Sequence, residues 1–278
     1  SVSDIISFDD DLLSVAVSLE KSSEHPLAKA IMDKAKEENV SELEIHDFEA
    51  VFGKGVKGVI DGHTGFTGGI NLADEYINQK ERFGHWKDTA VMLKGEGVWN
   101  LTAMFLHMWN VVTKTDEVSN FKSYLPHRYH PSPFQGEGYV QPYCDTPLDD
   151  ETVGENVYLN IINRAKYYVY ICTPYLIIDN EMMTALCLAS KSGVDVRIMT
   201  PGIPDKKLVY SVTRSFYHEL VKDGVRIYEW TPGFCHAKMS VADDCMATCG
   251  TINLDYRSLY HHFENGCFMA DCDVVLNI

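Results

Sequence analysis

The sequence has few basic residues for its length. Its 278 residues include 24 Lys and Arg against 40 Asp and Glu, which gives a formal net charge of −16. A general nucleic-acid binder needs a basic surface to contact phosphates, so this charge balance argues against that class of protein. It leaves open an anionic substrate held in a locally basic pocket.

The sequence also lacks metal-binding cysteine spacings and long apolar runs. Its eight cysteines include no C-x-x-C pair, and Cys172, Cys187 and Cys249 lie in apolar patterns. We therefore expect reduced core thiols in a cytosolic protein, and we predict no metal and no cofactor. No apolar run reaches the roughly 18 residues that span a bilayer, and no signal-peptide pattern is visible at Ser1. A cytoplasmic or peripheral protein is expected.

Hydrophobic periodicity predicts an α/β fold. Helices at 150–165, 180–192 and 206–223 alternate with strands at 167–172, 194–200 and 225–230, which indicates α/β layers. Before them, the pattern predicts two helices within residues 1–38, two short strands around a glycine turn, and a helix over 98–110. Residues 111–150 are rich in Pro, Ser, Gly and Tyr and are predicted to link two lobes.

One stretch has a spacing with a direct chemical use. Five residues follow the pattern H-x-K-x4-D-x6-G-[ST]-x-N: His236, Lys238, Asp243, Gly250 and Asn253. On a β-strand, His236 and Lys238 would point to the same face, because side chains alternate with period 2. A neutral imidazole beside a fixed positive charge suits nucleophilic attack on a phosphodiester. A lone His-x-Lys is commonly surface decoration, whereas the full spacing is hard to reach by chance.

This spacing resembles the signature of the phospholipase D superfamily. The segments T-P-G-F-C-H-A-K, G-T-I-N-L-D-Y-R-S and H-H-F-E-N-G are similar to the second catalytic half of bacterial cardiolipin synthases. The resemblance implies that His236 attacks phosphorus while Lys238 and Asn253 hold the phosphoryl oxygens. It also suggests a carboxylate that fixes the imidazole tautomer, for which Glu264 is the candidate, with a surface ion pair as the alternative. Asp243 completes the motif and is expected to shape the turn.

The resemblance also implies the partners. They are an anionic phospholipid similar to phosphatidylglycerol, an alcohol acceptor and the inner face of a bacterial membrane, with no nucleic acid. Nucleases share the motif, but the run of cardiolipin-synthase-like segments favours lipid. Substrate contacts are expected at four further positions: Asn71, Gly250, Thr251 and Ser258.

An internal repeat suggests a paired site. The run from Asp61 to Leu72 matches the run from Asp243 to Leu254 at a constant offset of 182 residues. Such a repeat implies two similar lobes about a pseudo-two-fold axis. The positions that should carry histidine and lysine in the first lobe hold Lys54 and Val56 instead. His63 is on the wrong side of the turn to replace the histidine.

The first lobe also contains W-K-D, in which Asp88 is predicted to be the counterpart of Glu264, left without a histidine to orient. Two second lobes could in principle rebuild a paired site by dimerisation.

The N-terminal segment resembles a different family. S-L-E-K-S-S-E-H-P-L-A-K-A-I followed by G-K-G-V-K-G is similar to the nucleotide-binding domain of copper and heavy-metal P-type ATPases. That resemblance implies ATP contacts at Glu24, His25, Gly53 and Gly55, although most glycine-rich turns are only turns. The D-K-T-G phosphorylation motif is absent, so ion pumping is not expected. The two resemblances meet near Val59, which suggests a chimera.

These observations predict four segments and a fold. The segments are an ATPase-like fragment at 1–58, a truncated first phospholipase D-like lobe at 59–125, a linker at 126–149 and a second lobe at 150–278. The fold is α/β, with central mixed sheets flanked by helices. The predicted function is cardiolipin-synthase-like phosphatidyl transfer through a phosphohistidine, impaired by loss of the first motif. The alternatives are an ATP-binding fragment or a non-functional fusion.

Overall fold

The computed structural model describes residues 12–21, 26–43, 46–51, 55–59, 63–71, 73–114, 121, 124–125, 134 and 136–278. Seven residues named above lie outside these ranges: Ser1, Glu24, His25, Gly53, Lys54, Asp61 and Leu72. The chain divides into two compact units. The first comprises Ser1–Gly62 and Asn71–Arg82, and the second comprises His63–Ile70 and Phe83–Ile278.

The first unit contains two helices and a hairpin. Helix α1 spans Leu12–Glu20 and α2 spans Pro26–Glu37, with proline at the first helical position, where its missing N–H costs no hydrogen bond. Strands β1 (His46–Val51) and β2 (Gly55–Val59) pair antiparallel, and Val56 lies opposite Ala50. The two predicted helices and two predicted strands are confirmed. Gly55, a predicted ATP contact, is the first residue of β2.

The second unit is built on a mixed seven-stranded sheet. Its strands are β6 (Tyr139–Asp145), β7 (Tyr168–Cys172), β9 (Asp195–Pro201), β10 (Arg226–Trp230), β12 (Met239–Ala242), β13 (Met246–Gly250) and β15 (Glu264–Ala270). They are ordered β10-β9-β7-β12-β13-β15-β6. The first three run parallel, whereas each later neighbour is antiparallel. The predicted mixed sheet is confirmed.

Helices and small strand pairs complete this unit. The helices are α3 (Val98–Thr113), α4 (Val153–Arg164), α5 (Asn180–Lys191), α6 (Lys207–Lys222) and α7 (Tyr256–Tyr260), and a 3₁₀ helix spans Asp273–Asn277. The remaining strands are β3 (Thr64–Gly68), β4 (His85–Lys87), β5 (Ala90–Lys94), β8 (Leu176–Ile177), β11 (Gly233–Cys235) and β14 (Leu254–Asp255). They form the pairs β3-β5, β11-β4 and β14-β8.

Apolar side chains of the parallel strands form the main core. Val169 and Ile171 of β7 alternate with half-buried residues and pack with Val196 and Ile198 of β9, all at most 1% exposed. Side chains of α4 and α5 cover this layer, because their apolar faces lie in the same cluster. At roughly 25 cal/mol per Å² of apolar area, this burial is the main stabilising contribution to the unit.

The structure differs from the sequence predictions at two places. Residues predicted as part of the linker include β6, which pairs with β15 along seven residues at the edge of the sheet. Pro142 within β6, with Gly136 and Gly138 just before it, obscured the strand pattern, and an edge strand tolerates proline. The segment His236–Lys238 is not itself a strand but connects β11 to β12.

Among the helices that the structure describes, none combines the length and the apolar character needed to cross a bilayer.

Candidate active site

The His-x-Lys segment lies where the chain changes its strand partner. Strand β11 runs parallel to β4, and the backbone N–H of His236 extends this pairing by donating to the Lys87 carbonyl over 2.7 Å. Three residues later β12 begins between β7 and β13 of the large sheet. His236 and Lys238 are 8% and 3% exposed, so the structure holds both polar side chains inside the protein.

Asp88 orients the imidazole of His236. Its Oδ2 lies 2.7 Å from Nδ1 of His236, while its Oδ1 accepts the backbone N–H of Thr89 over 2.9 Å. A carboxylate at this distance is best satisfied by an N–H on Nδ1, which leaves the lone pair on Nε2. The ring therefore presents its nucleophilic nitrogen away from Asp88.

Aromatic side chains bury the same imidazole. The rings of Trp86 and Phe234 lie with centroids 5.3 and 5.8 Å from that of His236. Burial lowers the pKa of His236, outweighing the opposing effect of the Asp88 hydrogen bond, and the charge of Lys238 lowers it further. The imidazole is consequently neutral near pH 7, as a nucleophile must be.

Lys238 places a positive charge beside this ring. Its Nζ lies 2.7 Å from Nδ1 of His236 and donates to the His236 carbonyl oxygen. Burial lowers the pKa of Lys238 to about 8, against the charges of Asp88 and Glu264, which raise it. The ammonium form therefore still dominates at pH 7. A Cβ on Gly69 would lie 2.7 Å from Asp88 Oδ1 and 2.9 Å from Lys238 Nζ, so only glycine leaves both groups in place.

A second set of polar side chains adjoins Lys238. Glu264 accepts from the hydroxyl of Thr251 through one oxygen and from Ser258 through the other, over 3.0 Å in the second case. Ser258 in turn accepts from the amide of Asn253 over 2.9 Å. Burial raises the pKa of Glu264, although both hydroxyls lower it. The Asn253 amide has a second N–H that remains available to an oxyanion.

The carboxylate predicted to orient His236 is thus a different one. Glu264 was the candidate, but Asp88 occupies that place, and Glu264 contacts Thr251 and Ser258. The two carboxylates are structural counterparts, as predicted. Gly68 in the first half of the repeat pairs with Ala90, and its equivalent Gly250 in the second half pairs with Gly266. Asp88 lies two residues before Ala90 and Glu264 lies two residues before Gly266, so the two carboxylates occupy equivalent positions.

The counterpart hydrogen bonds agree with this assignment. Gly69 N–H donates to the Thr89 carbonyl, and Thr251 N–H donates to the Asn265 carbonyl. Asp88 therefore does have a histidine to orient, and it lies in the other half of the repeat. The W-K-D segment was the available sequence signal, but no spacing links it to a histidine 148 positions away.

The remaining predicted residues have structural contacts. Asp243 accepts the backbone N–H groups of three successive residues at 2.7–2.9 Å and has a left-handed φ of 52°, so it shapes the turn between β12 and β13. Gly250 is buried, and a Cβ there would lie 2.4 Å from the Asn265 carbonyl oxygen. Asn71 belongs to the first unit, where its amide donates to the Tyr76 hydroxyl over 2.8 Å.

Among the residues that the structure describes, no group of three or more His, Cys, Asp or Glu side chains is arranged to hold a metal ion.

The site and fold were compared with known proteins. Residues 158–278 match the sequence model of a family described as "Cardiolipin synthase, PLD-like domain". Over 220 residues, the chain is 57% identical to an uncharacterised protein of Streptococcus mutans, a match that covers 79% of this chain and 47% of that protein. It is 39% identical over 216 residues to a cardiolipin synthase of Geobacillus sp., covering 77% of this chain and 42% of that relative. The chain thus spans less than half the length of these relatives.

A solved structure shares the fold. The phosphatidylserine synthase of Haemophilus influenzae aligns with a TM-score of 0.57 at 17% sequence identity, covering 79% of this chain and 58% of that chain. Fold and site together define an α/β protein with a buried histidine that is oriented by a carboxylate and lies beside a lysine. Residues 158–278 match the model of a PLD-like domain, and the chain is similar to cardiolipin synthases.

Proposed function

We propose that this chain is a phosphatidyltransferase of the cardiolipin synthase type, slowed by loss of one half of its catalytic pair. One observation carries the proposal: a neutral, buried imidazole is oriented by Asp88 with the Lys238 ammonium beside it. The similarity to cardiolipin synthases supports a phospholipid as the substrate, with phosphatidylglycerol as the candidate. An anionic headgroup would bring the phosphodiester to the buried charge of Lys238.

In the first step, Nε2 of His236 attacks the phosphorus of the phospholipid. A nitrogen–phosphorus bond forms, and the bond between phosphorus and the headgroup oxygen breaks, releasing an alcohol once that oxygen gains a proton. Asp88 stabilises the positive charge that develops on the imidazole. Lys238 and the free N–H of Asn253 stabilise the negative charge on the non-bridging oxygens.

In the second step, the hydroxyl of an alcohol acceptor attacks the same phosphorus. The nitrogen–phosphorus bond breaks, His236 returns to the neutral form, and the acceptor proton leaves to solvent. The product is a new phosphodiester between the phosphatidyl group and the acceptor. Thr251 and Ser258 are proposed to support this site through Glu264, which they hold next to Lys238.

The impairment follows from the repeat. A second histidine would protonate the leaving alcohol, but its position holds Lys54, and the paired lysine is Val56. Loss of a positioned general acid costs on the order of 10² to 10⁴ in rate. Water must then supply the proton, so we expect slow turnover.

The test is transfer from labelled phosphatidylglycerol to an alcohol acceptor. Wild-type protein should form product slowly but above background, whereas His236→Ala should form none. The matched control is His218→Ala, which removes an exposed histidine on α6 and should behave as wild type. Equal background in wild type and His236→Ala would refute the proposed activity.

The N-terminal segment is proposed to derive from a P-type ATPase, making the chain a chimera joined near Val59. The resemblance of residues 1–58 supports this, and residues 1–62 belong to a compact unit separate from the one that contains His236. Sequencing the genomic DNA across codons 54–66 tests the fusion. Fluorescence of an ATP analogue that is unchanged by the protein would exclude nucleotide binding by this segment, whereas binding lost in His25→Ala would support it.

A further inference from the structure

Two buried carboxyl groups meet at one tyrosine hydroxyl. The hydroxyl oxygen of Tyr260 lies 2.8 Å from Oε1 of Glu155 and is also hydrogen-bonded to Oδ2 of Asp179. Glu155 and Asp179 are 7% and 6% exposed, so both carboxyl groups lie inside the protein. The three residues belong to three elements: the first turn of α4, the N-cap of α5 and the last residue of α7. The mechanism above uses none of them.

The single hydroxyl proton of Tyr260 cannot serve both contacts. A tyrosine hydroxyl has one proton to donate, whereas an ionised carboxylate can only accept hydrogen bonds. If both carboxyl groups were ionised, one of them would face the lone pairs of the phenol oxygen and the charge of the other. Two carboxylates that share a buried site do not both ionise near their ordinary pKa values. The geometry therefore requires a second proton in this cluster.

The contacts of Asp179 indicate which carboxyl group is ionised. Its Oδ1 accepts the backbone N–H of Met182 over 2.7 Å as the N-cap of α5, where the helix dipole favours a negative charge. Hydrogen bonds outweigh burial at Asp179 and lower its pKa. Burial raises the pKa of Glu155, and the neighbouring Asp179 raises it further. Glu155 therefore holds the proton and donates it to the phenol oxygen, while Tyr260 donates to Asp179.

This cluster anchors a helix that carries part of the candidate site. Ser258 lies two residues before Tyr260 on α7, accepts from Asn253 over 2.9 Å and donates to Glu264 over 3.0 Å. At the other end of α7, Asp255 caps the helix by accepting the Ser258 N–H over 2.9 Å. A helix of five residues is not stable on its own, so its position depends on such contacts.

We propose that Glu155, Asp179 and Tyr260 are positioning residues, in which a shared proton fixes α7 and α7 in turn places Ser258 and Asn253 for the phosphoryl oxygens. The positioning role rests on the proposed function, whereas the shared proton does not. When Glu155 loses its proton, the two carboxylates repel each other and the anchor of α7 weakens. A carboxyl group whose pKa is raised on folding stabilises the fold at low pH, and this stabilisation is lost as the pH rises through the raised value.

Other titratable groups near the cluster must be separated from this effect. The rings of Tyr256 and His261 lie 5.5 and 6.3 Å from that of Tyr260. A cavity beside Tyr260 is also lined by five titratable residues: Asp145, Asp149, Asp150, Glu151 and His262. Burial raises the pKa of Asp145, but this residue is common to wild type and to variants of the cluster, so its effect cancels in their difference. The histidines change charge between about pH 5 and pH 8 and need variants of their own.

Thermal melting of the whole chain tests the shared proton without an activity assay. In Glu155→Gln, the amide keeps an N–H for the phenol oxygen at every pH and so imitates the protonated acid. Its melting temperature minus that of wild type should rise by about 3 °C or more between about pH 5 and about pH 8. Glu181→Gln, which changes an exposed carboxylate on α5, is the matched control and should keep a constant difference.

Two further variants make this test specific. Asp179→Asn removes the charge that raises the pKa of Glu155, so its melting temperature relative to wild type should rise with pH in the same way. Replacing both His261 and His262 with glutamine should leave the rise in Glu155→Gln unchanged. A constant difference in Glu155→Gln and Asp179→Asn would overturn the inference, and so would a rise that disappears when the histidines are replaced.

Transfer kinetics test the positioning role. Tyr260→Phe loses both hydrogen bonds of the hydroxyl and should lower kcat by about tenfold or more with little change in KM, whereas Glu155→Gln should keep the wild-type kcat. Full transfer in Tyr260→Phe would refute the positioning role. If wild type shows no transfer, the proposed function fails, while the melting temperatures still decide whether the proton is shared.

Discussion

Replacing Asp88 with asparagine separates an electrostatic role from a structural one. Asparagine keeps the shape of the side chain and a carbonyl oxygen for the N–H of His236, but it removes the negative charge. In the wild type, a plot of kcat/KM against pH should be bell-shaped. Activity is lost on the acid side as His236, whose pKa is lowered below 6.5, becomes protonated. It is lost on the alkaline side as Lys238 deprotonates near its pKa of about 8.

The magnitude follows from two contacts. His236 Nδ1 lies 2.7 Å from Asp88 Oδ2 and 2.7 Å from Lys238 Nζ, and the charge of Asp88 raises the pKa of both the imidazole and the ammonium group. Because Asp88 raises both pKa values, its loss lowers both, and the whole bell moves to lower pH. A hydrogen bond to a charged group is worth about 1.5–3 kcal/mol, so kcat/KM at pH 7 should fall by about 10- to 100-fold.

The assay is kcat/KM for labelled phosphatidylglycerol from about pH 4 to about pH 9.5, which extends well below the ordinary imidazole pKa of about 6.5 and above the Lys238 pKa of about 8. Asp149→Asn, which changes an exposed carboxylate in the same unit, is the control and should leave the bell unchanged. A lower rate in Asp88→Asn with both limbs in their wild-type positions would mean that Asp88 only holds the structure. That result would refute the electrostatic reasoning.

Two further substitutions probe the same site. Gly69→Ala inserts a methyl group 2.7 Å from Asp88 Oδ1 and should reduce transfer by about tenfold or more. Gly136→Ala is the control, because no atom lies within 4 Å of its Cβ, and it should leave transfer unchanged. Unchanged transfer in both variants would contradict the packing at Gly69. Asp243→Ala removes the acceptor of three backbone N–H groups and should lower the free energy of unfolding by about 1–3 kcal/mol in urea titrations while kcat/KM is retained. A loss of kcat/KM without a loss of stability would instead assign Asp243 to the chemistry.

The sequence predicted the α/β elements and the His236–Lys238 pair because both depend on local information. The helices and strands follow from periodicity within short windows, and the pair from a two-residue spacing. The partner of His236 could not be predicted in this way. It depends on the parallel pairing of β4 with β11, strands of three residues each that are separated by more than a hundred residues.

The error over Glu264 has the same origin. A carboxylate 28 residues after the histidine, in the same half of the repeat, was the nearest candidate along the chain. Strand register shows that the carboxylates of the two halves are equivalent, but it is the tertiary contact that selects Asp88. Thr251 and Ser258 were predicted as substrate contacts from the resemblance, and the structure shows that both hydroxyls donate to Glu264.

Trapping the phosphorylated form of His236 tests whether this residue is the nucleophile. Wild-type protein is mixed with phospholipid that carries labelled phosphate. The reaction is quenched in base, because phosphohistidine survives there, and the protein is digested with trypsin. We expect label on the tryptic peptide 227–238, at His236, and no label in His236→Ala. Label on another residue, or label that persists in His236→Ala, would contradict it.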